Sequence, residues 1–364
     1  MPILIIWIIL AIFKLLKNKF IFTKDELIIK ELFILFIIPK IVIHTYSIIL
    51  FILGFTDYIT RNTQTYMILL SAFSILYLFK KDVIKYTIRA LIISFSIVLI
   101  YNITAYGINT IPEMFMFLFT GDLRYDNSAR LYEVHDYTLA LGYIIIYYLF
   151  IKKKFTNKDL LPMYIIFVYM LLGYKRIEVL ALLMIIIYVY ISKFFVNKFK
   201  LYKFISYISI FLSYIFIWSL SEGVFFELIE KMGINTMGRN YYYNVIISLT
   251  NFNPLFLGFG RNWVTHSLIN QYSYLNVAGL HSDILKYFAE CGFIGFGLWL
   301  WFYLVKILKI IEKRYGYRAA FSYHILTLYT FILYYTDNIE TYFVCQFIYT
   351  ILIVKTCIDE KMHV

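Results

Sequence analysis

The sequence predicts an all-α protein that crosses a membrane about eleven times, each helix needing roughly 20 apolar residues. Hydrophobic residues make up 62% of the 364 residues and charged residues only 15%, whereas soluble domains are about half apolar and a quarter charged. The apolar residues occur in long blocks separated by short polar joints. Apolar and polar residues do not alternate within these blocks, so the pattern disfavours a β-barrel.

The chain, 1–364, is predicted to form a single integral membrane domain. The apolar blocks and their polar joints set the approximate ends of the spans. They lie near residues 3–17, 31–53, 65–79, 87–107, 137–151, 160–174, 178–192, 204–220, 291–308, 319–335 and 340–354.

Lysine and arginine indicate which side each joint faces. One alternate set of joints holds 24 of the 34 cations, the other set holds nine, and Lys40 lies within a span. The cation-rich set is cytoplasmic by the positive-inside rule. The formal charge of +12 therefore reflects topology, and we expect no nucleic-acid partner. The side of the N-terminus stays open.

Two long segments lie on the non-cytoplasmic side, a smaller one at 108–136 and a larger one at 221–290. Segments of this length usually carry function or disorder. Both are rich in Phe, Tyr, Leu and Gly, so we expect short helices folded against the membrane surface. The chain has no Walker loop, dinucleotide fingerprint or HExxH motif, and its three cysteines lack metal-ligand spacing. We therefore expect neither a cofactor nor a metal.

Arginine is concentrated on the outer side. Six of the nine arginines lie there, although the outer side holds only nine of the 34 cations. The planar guanidinium can bind phosphate through two hydrogen bonds, whereas lysine acts as a point charge. The enrichment predicts a phosphate-bearing ligand, which is a lipid headgroup or a polyprenyl diphosphate. The six are Arg61, Arg124, Arg130, Arg176, Arg239 and Arg261.

Two arginines precede apolar stretches. Arg176 and Glu178 are placed near the outer end of a span, where ionisable groups are costly and indicate function. The alternative is a pair that extends to the membrane surface. Arg239 and Tyr243 share one face of a predicted amphipathic helix. The alternative there is a helix that lies in the membrane interface.

His281 lies just before a predicted helix N-terminus, where anions are favoured. Ser282 or Asp283 is suited to cap that helix. Gly292 and Gly295 are predicted to let it approach a neighbouring helix closely. A neutral imidazole at His281 is suited to accept a proton from a sugar hydroxyl, although a lone histidine in a loop is usually structural.

The remaining candidates are polar groups of the outer segments. Arg124 and Arg130 are predicted to bind sugar hydroxyls or to form a solvated face. Arg261 follows a glycine-bearing turn, LGFG, that is typical of structural loops. Asp337 lies in a polar turn, for which structure and function are about equally expected.

The run 254–301 resembles the O-antigen polymerase and O-antigen ligase superfamily. It contains LGFG, then HSDILKYFAECGFIG, and then an apolar span. The family pattern is a glycine turn, His-Asn or His-Ser, an apolar helix and Glu-x-Gly-x-x-Gly. Arg176 and Arg239 fit the places of two family arginines, and TDN at 336–338 resembles a late turn of many polymerases. Ser282 stands where many members have asparagine.

The resemblance implies a membrane glycosyltransferase of the GT-C type in the bacterial inner membrane, with a periplasmic active face. Its donor would be an undecaprenyl-diphosphate-linked oligosaccharide, joined into O-antigen or capsular polysaccharide. Catalysis would fall to His281, Arg239 and Arg176. Membrane lipid and a chain-length regulator protein are the expected partners. The expected substrate-binding residues are Arg261, Arg130, Arg124, Glu178, Tyr243, Asp283 and Asp337.

Two other activities stay open. A ligase that transfers finished glycan to lipid A core would use the same outer-face residues. A flippase for the lipid-linked oligosaccharide would need a cationic cavity reachable from both leaflets, and the sequence places only Lys40 within the membrane. The late TDN turn and the short chain favour the polymerase.

Overall fold

The computed structural model describes residues 2–56, 63–120, 135–173, 175–233, 236, 238–275 and 279–361. These residues form α-helices joined by short turns, with no β-strand among them. The helices are α1 (Pro2–Lys17), α2 (Lys24–Ile52), α3 (Thr63–Phe79), α4 (Val83–Tyr106), α5 (Thr110–Thr120), α6 (His135–Ile146), α7 (Asn157–Leu172), α8 (Arg176–Ser192), α9 (Lys198–Ser221), α10 (Val224–Lys231), α11 (Arg239–Leu249), α12 (Trp263–Asn270), α13 (Asp283–Trp301), α14 (Ile307–Tyr315), α15 (Tyr317–Tyr334) and α16 (Phe343–Lys361).

Four helical segments of the described chain are long and apolar enough to cross a membrane. They are Lys24–Ile52, Val83–Tyr106, Lys198–Ser221 and Asp283–Tyr315, the last joining α13 and α14 through a π-turn at Phe302–Lys306. A helix also occupies each of the eleven predicted spans. The expectation of an all-α membrane protein is confirmed at this level.

Apolar side chains on the outside of the bundle fit a lipid surround. On α4, Ile93, Ile97 and Ile100 are each about three-fifths exposed and follow one helix face. Exposed leucine and isoleucine also line α8. Contiguous apolar surface on this scale is typical of a surface covered by lipid or protein.

Local sequence sets several helix starts. Thr23 and Glu26 form a capping box in which the Glu26 carboxylate accepts the Thr23 backbone N–H at 2.7 Å. Thr156 and Asp159 do the same at the start of α7. Ser282 caps α13, its hydroxyl accepting the backbone N–H of Leu285, as predicted.

Two groups of buried apolar residues hold the described bundle together. The larger lies among α2, α3, α6, α8, α15 and α16, and the smaller surrounds α13 and receives α9, α11 and α12. Gly142 on α6 makes room for the Tyr329 ring, because a Cβ there would lie 2.0 Å from the tyrosine hydroxyl oxygen. Of the described short helices, α11 and α12 thus pack against α13 through the smaller group.

Gly292 breaks α13, and the loop that contains the LGFG motif packs against this break. Gly292 has φ +72° and interrupts the helix. The segment 256–260 pairs with the freed backbone groups. Phe259 N–H donates to the Ala289 carbonyl at 2.9 Å, and Phe293 N–H donates to the Phe256 carbonyl at 2.8 Å. A Cβ on Gly292 would lie 2.2 Å from the Leu257 carbonyl carbon.

Two details of this helix correct the sequence interpretation. Gly292 permits close approach of a loop rather than of a neighbouring helix, and the Cβ of a residue at 295 would meet only Cys291 of its own helix. In addition, α13 begins at Asp283, directly after its predicted cap at Ser282. Residues 283–290, which the sequence assigns to the segment 221–290, therefore belong to this helix.

Gly292→Ala is expected to lower the thermal stability of the purified protein in detergent. The substitution forces alanine into left-handed backbone and against the Leu257 carbonyl, at a cost of about 2 kcal/mol or more. Gly295→Ala is the matched control, because that helical position has no positive φ. Equal melting temperatures for the two variants would contradict the role of this break.

Candidate functional site

His281 lies at the junction of the segment 221–282 and α13, in a strained backbone conformation. Its φ is +52°, which non-glycine residues rarely adopt. Its N–H donates to Asn338 Oδ1 at 2.9 Å, and its carbonyl accepts the Tyr243 hydroxyl at 2.7 Å. Strain held by flanking hydrogen bonds is frequent at functional sites.

The imidazole of His281 faces a carboxylate. Its Nδ1 lies 3.3 Å from Asp337 Oδ1, which also accepts the Tyr342 hydroxyl and the Asn338 N–H. The His281 side chain is 32% exposed and that of Asp337 only 4%. A carboxylate at Nδ1 favours the Nδ1–H tautomer, which leaves a lone pair on Nε2.

Asp337 is held in its ionised form. Burial alone would raise its pKa, but hydrogen bonds from His281 and Tyr342, with the charge of Lys175, hold that pKa well below its usual range. Ionised Asp337 can therefore orient the His281 ring and stabilise an imidazolium at that position, as carboxylates do in catalytic dyads and triads.

Positive charge acts on residues next to this pair. Arg239 is the first residue of α11, and its charge acts on the Tyr242 and Tyr243 hydroxyls. The Tyr242 ring centre lies 6.3 Å from that of His281. Lys175 acts on Asp337, and the exposed Arg176 follows it as the first residue of α8. Arg239 and Lys175 thus act on residues that contact His281.

A buried ion-pair group lies beneath the site. Arg261 donates from Nη1 to Glu290 at 2.9 Å and from Nη2 to Glu340. Its guanidinium also lies over the Tyr287 ring, 4.6 Å from the centroid, and Tyr287 donates its hydroxyl to Glu340. Lys40, from α2, lies 3.5 Å from Glu340.

The ion-pair group contains as many basic as acidic side chains. Lys286 and Asp283 are also buried there, which makes three cations and three carboxylates with Lys40, Arg261, Glu290 and Glu340. Burial alone would lower the pKa of the Arg261 guanidinium, but Glu340 and Glu290 raise it well above its ordinary value. Paired in this way, the buried charges avoid most of the penalty of isolated ones.

The ion-pair group fixes the turn that carries Asp337. Glu340 N–H donates to Asp283 Oδ2 at 2.8 Å, and Asp283 N–H donates to the Asp337 carbonyl at 3.3 Å. Arg261 N–H donates to Ser47 Oγ at 2.7 Å. The 335–342 turn, the start of α13, the 256–262 loop and α2 are therefore held in one arrangement.

Three predicted substrate-binding residues lie inside the protein. Arg261 is 5% exposed and both its terminal nitrogens bind carboxylates, so in this structure it positions other groups. Asp283 is fully buried in the same group. Glu178 is fully buried and accepts the Gly142 N–H at 2.9 Å, so it holds α6 against α8.

The other candidates differ in what the structure shows. Tyr243 is buried and supports the His281 carbonyl, while Asp337 faces the ring directly. Arg176 and Arg239 remain predicted phosphate contacts. Arg124 and Arg130 lie outside the described residues.

Sequence reasoning missed Lys175, Asn338 and Glu340 as members of the site and its support. Lys40 offered one signal, because a lysine within a span needs a buried partner, and Glu340 provides it. The part of the chain that the structure describes contains no group of three or more His, Cys, Asp or Glu residues arranged for a metal ion.

Comparison of this chain with protein-family models, with curated proteins and with solved structures finds no match. The function proposed below therefore rests on the site geometry and on the sequence motifs.

Arg261→Gln is expected to destabilise the protein by roughly 3–5 kcal/mol, because it leaves two buried carboxylates without their cation. The matched control is Arg314→Gln, which removes a half-exposed pair with Glu31 and should cost no more than about 1 kcal/mol. Thermal unfolding in detergent measures both. Similar stability losses would show that the Arg261 pairs do not hold the site together.

Proposed function

We propose that the chain is a polymerase that joins undecaprenyl-diphosphate-linked oligosaccharides into O-antigen or capsular polysaccharide. The observation that carries this proposal is the His281–Asp337 pair, with its partly exposed imidazole, the charge of Lys175 acting on Asp337 and that of Arg239 on the neighbouring Tyr242. A base next to phosphate-binding cations suits glycosyl transfer from a diphosphate donor. The motif resemblance supplies the substrate class.

His281 acts as the general base in this proposal. Its Nε2 lone pair removes the proton from the acceptor sugar hydroxyl as that oxygen attacks the anomeric carbon of the donor. Asp337 holds the Nδ1–H tautomer and stabilises the imidazolium that forms. A new C–O bond forms, and the bond between the anomeric carbon and the phosphate oxygen breaks.

The leaving group is undecaprenyl diphosphate, which departs with the bonding electrons. Arg239 and Arg176 bind its oxygens, and the charge of Lys175 adds to theirs. Cations preorganised at a low-dielectric boundary stabilise developing negative charge strongly. The proton taken by His281 then passes to the diphosphate or to water, which restores the neutral imidazole.

The proposed topology has eleven spans with the site at the periplasmic face of the inner membrane. The site elements share one end of the bundle: the starts of α8, α11 and α13 and the turn between α15 and α16. The lysine-rich joints lie at the opposite ends of α8, α15 and α16. Lys40 is paired with Glu340, which favours a fixed support over the open cationic cavity of a flippase.

The direct test is synthesis by purified protein in nanodiscs supplied with the undecaprenyl-diphosphate-linked repeat units of the source organism. We expect a ladder of products that differ by whole repeats. Asp337→Asn and His281→Gln should slow its formation by about 10²–10⁴-fold, the usual contribution of acid–base catalysis. Arg239→Lys should slow ladder formation as well, because lysine is a point charge and cannot bind phosphate through two parallel hydrogen bonds as arginine can.

His266→Gln is the control, because His266 lies on α12 and has no part in the proposed chemistry. Products that appear only when lipid A core is added would instead identify a ligase. Movement of the intact donor between leaflets, with no new glycosidic bond, would identify a transporter and overturn the proposal.

A further inference from the structure

A cleft of about 540 Å³ opens between α10 and α11, on the face of α11 away from His281. Its volume lies within the usual ~300–1,000 Å³ range of ligand pockets. The proposed transfer chemistry uses none of its side chains. Its polar and aromatic lining residues are Phe226, Glu230, Thr236, Asn240, Tyr241 and Asn244.

The lining has the chemistry of a carbohydrate site. Asn244 offers an amide donor and acceptor, Asn240 offers an amide donor, and Glu230 offers a carboxylate that can accept paired hydroxyls.

Two further features narrow the ligand class. The Tyr241 side chain is 74% exposed, so its ring face is open to an apolar sugar face. Glu230 lines the same cleft and would repel a phosphate. The lining therefore suits a neutral polyhydroxyl compound better than a diphosphate or an anionic headgroup.

The cleft lies close to the proposed diphosphate contact along one rigid element. Asn240, Tyr241 and Asn244 follow Arg239 by one, two and five residues on α11. Five residues of helix span about 7.5 Å along its axis. Because Arg239 and the cleft lie on different faces of α11, about 10 Å apart across the helix, a glycan whose diphosphate lies on Arg239 reaches the cleft only through several sugars.

We propose that this cleft binds the donor glycan at sugars beyond the one that reacts. The inference rests on the proposed function for the identity of that glycan. Tyr241 stacks on a sugar ring, and Asn240, Asn244 and Glu230 hydrogen-bond its hydroxyls. The cleft thus selects a multi-sugar donor, while Arg239 on the same helix holds its diphosphate.

The test measures binding of the free oligosaccharide, released from the lipid-linked repeat unit by mild acid, to purified protein in nanodiscs. Calorimetric titration or saturation-transfer NMR reports binding without turnover. Tyr241→Ala and Asn244→Ala should each weaken binding by about tenfold, equivalent to ~1.4 kcal/mol. Tyr274→Ala and Asn251→Ala, at exposed positions outside the cleft, are the matched controls and should bind like wild type.

The inference is supported if the wild-type protein binds the oligosaccharide and only the cleft variants bind it more weakly. That result holds even if no polymer forms and the proposed function fails. Polymer synthesis by wild-type protein with oligosaccharide binding unchanged in both cleft variants would overturn it. Weakened binding to anionic vesicles in those variants, with oligosaccharide binding intact, would also overturn it and make the cleft a membrane contact.

Discussion

The site depends on one buried interaction, the contact of the Arg261 guanidinium with Glu290 and Glu340. The two carboxylates come from α13 and from the turn before α16, and Arg261 belongs to the loop that inserts at the break in α13. Removing a charge from water costs on the order of several kcal/mol per ion, unless an ion pair with an opposite charge compensates for it. The loop, the helix and the turn can therefore bury these charges only together, which fixes their relative positions.

The break at Gly292 and the ion pairs support each other. Inserting the 256–260 backbone at the break satisfies carbonyl and N–H groups that the interrupted helix would otherwise leave unpaired. The same insertion brings Arg261 between its carboxylates. Glu340 then lies three residues after Asp337, so the support for the ion pair and the orientation of His281 share one short turn.

The helices were predictable because membrane spans need long apolar blocks, and a helix lies at each predicted span. The partners of Asp283, Lys286 and Glu290 were not, since no local pattern indicates what these side chains pair with. The same holds for Arg261, whose carboxylate partners are 29 and 79 residues away. His281 and Arg239 were singled out by motif and helix position, but Asp337 as the partner of His281 required the three-dimensional fold.

The tautomer of His281 decides whether this site can remove a proton from a hydroxyl. Nitrogen-15 NMR of histidine-labelled protein in nanodiscs, at a pH where the ring is neutral, reports it directly. The His281 signals are identified as those missing in His281→Gln among the six histidines. We expect Nδ1 to carry the proton and Nε2 to show the shift of an unprotonated nitrogen. A protonated Nε2 with a bare Nδ1 would contradict the role of Asp337 and of His281 as the base.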